Sequence, residues 1–133
     1  MTSEQLSVST RSRTDLVDIT AMVAAVVKKS GVKSGLCCVY VPHTTAGVTI
    51  NENADPAVCC DIETILDRLV PWEGGYAHAE GNSAAHVKAG MMGFTATIPL
   101  ERGRMLLGTW QGIYFCDFDG PRSRKVIVKV VEG

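Results

Sequence analysis

The chain has 133 residues, 46% of them hydrophobic, and a formal net charge of −1. That length suits one domain with a real core, and the near-neutral charge excludes a basic footprint for nucleic acid or a Lys/Arg run for a membrane surface. The longest apolar run, residues 21–27, is too short to span a bilayer, and the polar, alternating stretch 1–13 is not a signal peptide.

In chain order, Leu6 and Val8 alternate with polar residues, the period of a strand with one buried face over residues 5–13. A second short strand is expected over 16–19. Thr20 is then a candidate N-cap for a helix over 21–30, with Lys28 and Lys29 beside its negative end and Gly31 in the left-handed cap position. Residues 35–41 form a strand that Pro42 ends, and 46–50 form another, so His43-Thr44-Thr45 lies at the bend between them. Asp55-Pro56 opens a helix, with Asp as N-cap and Pro at its first position. Val58, Ile62, Ile65, Leu66 and Leu69 make its apolar stripe, and Pro71 stops it.

Residues 72–81 are a glycine-rich loop. Asn82 or Ser83 caps a third helix running to Met92, stopped by Gly93. A strand over 94–98 and a turn at Glu101-Arg102-Gly103-Arg104 follow. Residues 111–118 and 125–131 are expected to pair as a hairpin joined by Asp119-Gly120-Pro121-Arg122. Short turns between strands with about three helices define an α+β fold with a mainly antiparallel sheet sandwich. The five cysteines, Cys37, Cys38, Cys59, Cys60 and Cys116, show no framework spacing and are expected to be reduced thiols of a cytoplasmic protein.

The three histidines stand among Gly, Thr, Asn and Glu: His43 at the strand bend, His78 in the loop and His86 in the first turn of the third helix or just past it. Brought together they would make a three-histidine metal face with open positions, although the spacing is no standard zinc motif and each can equally be a surface or satisfied core residue. Glu52 can act as general base, ligand or partner to a histidine, or belong to a cap network with Asp55. Glu80, two residues after His78, reads first as a solvated loop residue, with a role at the site as the alternative. Arg102, Arg104, Arg122 and Arg124 lie at or near turns, where an arginine is usually just solvated but its planar fork also suits phosphate, and the helix starts near Asn82 and Pro56 offer backbone N–H groups. Trp110 can stack on a heteroaromatic ring, or sit in the core or a subunit interface.

Several of these residues recur in an ordered set of motifs: His43-Thr44-Thr45-Ala46, Asn51-Glu52-Asn53-Ala54-Asp55-Pro56, Glu80-Gly81-Asn82 with Ala85-His86-Val87-Lys88, Ile98-Pro99 and Gly108-Thr109-Trp110-Gln111-Gly112. In these motifs, over residues 12–131, the chain closely resembles the YjbQ family. The resemblance implies a small α+β protein forming homotrimers, with a histidine-built site near the subunit boundary that often holds a divalent metal, zinc or another transition metal. It also implies a thiamine-phosphate synthase activity, joining a pyrimidine diphosphate to a thiazole phosphate and releasing pyrophosphate. On that reading His43, His78 and His86 are the metal ligands and Glu52 and Glu80 the catalytic carboxylates. Asn51, Asn82, Trp110, Gln111 and Arg122 are then contacts for a small phosphorylated molecule. The alternatives are a non-catalytic trimeric module that binds a metal or small anion, or a metal-assisted hydrolase. Relatives often carry acidic residues just before the alanine–histidine pair, where this chain has Asn82, Ser83 and Ala84. A metal here would lean instead on Glu52, Glu80 and water.

Overall fold

The computed structural model describes residues 2–133, so Met1 of the N-terminal stretch lies outside it. Eight strands and three helices follow in the order β1 (Thr2–Ser9), β2 (Asp15–Asp18), α1 (Thr20–Ser30), β3 (Gly35–Tyr40), β4 (Ala46–Glu52), α2 (Pro56–Leu69), α3 (Ser83–Met92), β5 (Thr95–Glu101), β6 (Arg104–Met105), β7 (Gln111–Asp117) and β8 (Ser123–Glu132). All strand pairs are antiparallel, in a five-stranded sheet ordered β1-β8-β3-β5-β6 and a three-stranded sheet ordered β2-β7-β4. This is the expected α+β sandwich.

The core lies between the two sheets. Val39 of β3, Val126, Val128 and Val130 of β8 and Ile98 and Leu100 of β5 meet Val23, Val26 and Val27 of α1 and Val48, Ile113 and Phe115 of the small sheet. A second apolar cluster covers the small sheet's other face, where Leu66 of α2 and Ala85 and Ala89 of α3 pack on Tyr114, Cys116 and Phe118. The period-two alternation of β7 thus serves two cores, and Gln111 is its only exposed residue.

Residues 111–118 and 125–131 do not pair with each other as expected. β7 lies between β2 and β4, whereas β8 lies between β1 and β3. The Asp-Gly-Pro-Arg connection, with its cis Gly120–Pro121 bond, carries the chain from one sheet to the other. The reason is burial: β7 needs cover on both faces, while β8 alternates buried Val126, Val128 and Val130 with exposed Lys125 and Lys129.

Three smaller expectations are also corrected. β1 stops at Ser9 rather than 13, where Thr10 turns inward to Asp117. Thr20 begins α1 instead of capping it: its N–H and hydroxyl both donate to Asp18 Oδ1, and its oxygen accepts from Ile113 N–H at 2.8 Å. On α2, Ile65 and Leu69 face solvent, because the helix meets the rest of the chain along the narrower edge at Ile62 and Leu66. The Asp55 cap holds as expected, accepting from Ala57 N–H at 2.9 Å with Pro56 behind it. All five cysteines are free. Among the described residues no helix is long and apolar enough to cross a membrane.

Candidate functional site

Four segments meet at one end of the sandwich and enclose a cleft of about 460 Å³. The β3–β4 bend supplies Pro42, His43, Thr44 and Thr45, and the loop before α3 supplies His78 and Glu80. The start of α3 supplies Asn82 and His86, and the β7–β8 crossing supplies Asp119, Arg122 and Arg124. The structure therefore brings together all three histidines, Glu80, Asn82 and Arg122.

His78 and His86 stand with ring centroids 5.3 Å apart and planes at 87°, and Glu80 Oε1 lies 3.7 Å from His78 Nε2. His43 is held differently. Its Nε2 accepts the Lys125 backbone N–H at 2.9 Å, which places the proton of the neutral ring on Nδ1, and its edge meets Phe115 at a centroid distance of 6.4 Å. Partial burial pushes the His43 pKa down and the Arg124 charge pushes it the same way, outweighing the Lys125 bond. The ring is neutral at physiological pH.

Beneath the cleft lies a buried ion pair. The Asp117 carboxylate accepts from Arg124 Nη2 at 2.7 Å and Nε at 3.0 Å, from Thr10 Oγ1 at 2.7 Å and from Asp119 N–H at 2.9 Å. Burial alone would raise the Asp117 pKa, but these donors outweigh it and hold the carboxyl below the ordinary range. Arg124 Nη2 also donates to Thr45 Oγ1 at 2.8 Å, and the residue lines the floor of the cleft. Above it, Arg122 and Asn82 Nδ2 both donate to Asp119 Oδ2, at 3.2 and 2.9 Å. That arrangement commits the Asn82 amide nitrogen, and its Oδ1 is a buried acceptor with no protein partner. Asn82 makes no side-chain cap, so the first-turn N–H groups of α3 have no side-chain acceptor from it.

The remaining predicted site residues lie elsewhere. Glu52 pairs with Gln111 across β4 and β7, Asn53 N–H donates to Trp110 O, and Asn51 precedes them on the same strand end. Trp110 is 64% exposed there. Because Thr45 and Glu52 bracket β4, this second group lies roughly 20 Å from the cleft.

For a metal, His78, His86 and Glu80 are a chemically suitable donor set of two imidazoles and a carboxylate. Among the described residues, however, no three His, Cys, Asp or Glu side chains are grouped to hold an ion. His43 has already committed Nε2, and two guanidinium groups face the same space. The fit to a resident metal is partial; the fit to an anion is better. Sequence reasoning missed Asp117 and Asp119. A carboxylate inside the apolar run 113–118 was the available signal, since a buried charge requires a partner.

Comparison with known proteins agrees with this architecture. A family profile described as UPF0047 protein YjbQ-like matches residues 4–133. The chain is 50% identical to a UPF0047 protein of Methanocaldococcus jannaschii, over 93% of this chain and 90% of that one. It is 48% identical to the UPF0047 protein YugU of Bacillus subtilis, over 95% and 96%. A crystal structure of a YjbQ/UPF0047 protein from Clostridium acetobutylicum superposes with a TM-score of 0.95 at 52% identity, covering 96% of this chain and 99% of that one. A Sulfolobus solfataricus structure, described as a protein of unknown function, gives 0.95 at 32% identity over 99% and 97%. The chain belongs to the UPF0047 (YjbQ-like) family.

Proposed function

We propose that the cleft binds the phosphate groups of a small phosphorylated molecule, and that the chain acts there as a transferase of the thiamine-phosphate synthase kind. One observation carries the anion reading: the buried Arg124, fixed by Asp117, faces the same cleft as Arg122, a neutral His43 and the start of α3. Pinned guanidinium groups and helix-terminal N–H groups suit a phosphate or departing pyrophosphate. His86 and His78 are placed to move a proton near the bound group, with Glu80 beside His78. A divalent metal, zinc or another transition metal, held by His78, His86 and Glu80 would add charge neutralisation.

Glu52, Asn51, Trp110 and Gln111 can join this chemistry only from a neighbouring copy. A homotrimer is the assembly proposed, and the exposed Leu36, Tyr40 and Val131 on the outer face of the large sheet, together with Trp110, support it. The test combines two measurements. Pyrophosphate binding by calorimetry should be saturable and lost in Arg122→Ala, and pyrimidine diphosphate with thiazole phosphate should yield pyrophosphate. Mixing refolded Glu52→Ala and His86→Ala chains should restore part of that turnover if the site is shared. Binding without turnover would leave an anion-binding module; no binding would remove the proposal.

A further inference from the structure

At the opposite end of β3 from the cleft lies a second concavity of about 530 Å³, between the end of α1 and the β5–β6 hairpin. The length of β3 separates the two by roughly 20 Å. The floor is apolar, made by Val27, Val32, Met105 and Leu107. The rim carries four exposed cations, Lys28, Lys33, Arg102 and Arg104, and no lining residue is acidic. None of the four forms a salt bridge among the described residues, whereas neighbouring Lys29 is paired with Glu4 at 2.8 Å.

Lys28 alone could be explained by the negative end of α1. The other three cannot. Arg102 is the more telling, because it is the one non-glycine residue at positive φ among the described residues, at 55°, followed by Gly103 at 76°. A two-residue hairpin turn with both residues left-handed favours Asn, Asp or Gly at its first position. An arginine there keeps a guanidinium on the rim against the preference of its own backbone, and such outliers gather at ligand clamps. Gly103 supplies the second left-handed position of the turn, and its N–H donates to Lys33 O at 2.9 Å, which ties the turn to the residue that carries the third rim cation.

We propose that this groove is a second binding site, for a small soluble organic anion whose apolar body lies on Val27, Val32, Met105 and Leu107 and whose acidic group meets Arg102, Arg104 and Lys33. Its size is in the range of small-molecule sites, and a concave apolar floor rimmed by cations matches one amphipathic anion better than a flat surface contact. The site uses no residue of the histidine cleft and stands independently of the function proposed for it.

The probe is anilinonaphthalene sulfonate, titrated by fluorescence against the full chain, with phenylnaphthylamine as its uncharged counterpart. One saturable site per chain is expected, weaker by about tenfold or more for the uncharged probe and in Arg104→Gln. Arg102→Gly is the second variant: it suits the left-handed turn, so the melting temperature should hold or rise while the affinity for the anion falls. Equal affinity for both probes, or binding unchanged in folded Arg102→Gly and Arg104→Gln, would overturn the proposal. So would a change of oligomeric mass in those variants with no probe bound by wild type, which would make the groove an interface between copies. Binding only to anionic phospholipid vesicles would likewise overturn it in favour of a membrane contact.

Discussion

Replacing Arg124 with Met tests the buried pair directly. The side chains of Arg124 and Asp117 are 3% and 0% exposed, and Met keeps much of the arginine stem's volume while removing the charge. Asp117 would keep its Thr10 and Asp119 donors and lose two charge-assisted bonds, each worth about 1.5–3 kcal/mol. Breaking one side of a buried pair costs about 3–5 kcal/mol, so roughly 4 kcal/mol is expected, or a fall of roughly 10–20 °C in melting temperature. The pH dependence gives the sharper signature. In the wild type the Asp117 pKa is lowered, so its contribution is complete above pH ~4 and is lost as pH falls through the folded value. In Arg124→Met, burial is no longer outweighed and the folded pKa rises above the unfolded one. The penalty is then greatest at neutral pH and eases on acidification. Urea melts of both proteins from about pH 7 to pH 4.5 should show the gap narrowing. A loss below about 1 kcal/mol, or a gap that stays flat or widens towards acid, would refute the reasoning.

Three further outcomes are expected. In Gly47→Ala the new Cβ would meet Gly93 O at 2.5 Å and Ala89 O at 3.1 Å, forcing α3 off β4; a loss of about 3 kcal/mol in urea melts should follow. Lys88 is 4% exposed at its side chain and bonded to Asp67, which is 56% exposed. Asp67→Ala therefore strands a buried ammonium and should cost about 2 kcal/mol, while Lys88→Met should stay within about 1 kcal/mol; equal losses would contradict this asymmetry. For His43 the folded pKa is lowered, so its contribution is complete above the unfolded value of about 6.5 and is lost as pH falls below it. His43→Gln, whose amide oxygen can still accept from Lys125 N–H, should lack that slope when the two proteins are melted across pH 5–7.

Local chemistry made several elements legible from sequence alone. Asp55 and Pro56 announce the start of α2 because a cap and a proline each satisfy a first-turn need without tertiary help. Gly31 announces the end of α1 for the same kind of reason, at φ 71°. Strand partners were less legible, because a turn signal is local and sheet membership is not. The connection at residues 119–122 has the residues of a hairpin turn, yet β7 is buried on both faces from Gly112 to Asp117 and the alternating 125–131 needs cover on only one. The two strands lie in separate sheets, a consequence of burial that the turn residues do not carry. The site was half legible: polar, glycine-bearing settings pointed to His43, His78 and His86, which share the cleft. Nothing in the spacing could show that Lys125 N–H takes up Nε2 of His43, because that bond joins residues 82 positions apart.

The same crossing ties stability to the candidate chemistry. Asp117 is the last residue of β7 in the small sheet and Arg124 the second of β8 in the large one, so their pair fastens the two sheets at the end where the cleft opens. Thr45, from the β3–β4 bend, is held by the same guanidinium. An Arg124 variant therefore loosens the cleft's floor, its wall and the fold together, and lost activity in it would not separate binding from folding. Arg122 separates them. Its pair with Asp119 is half exposed, so Arg122→Ala should lose under about 1 kcal/mol of stability. If phosphate binding falls in Arg122→Ala while its urea midpoint stays near wild type, the loss belongs to the cleft. If binding survives in Arg122→Ala and fails only in Arg124→Met, the arginines serve the fold, and the anion reading of the cleft fails with them.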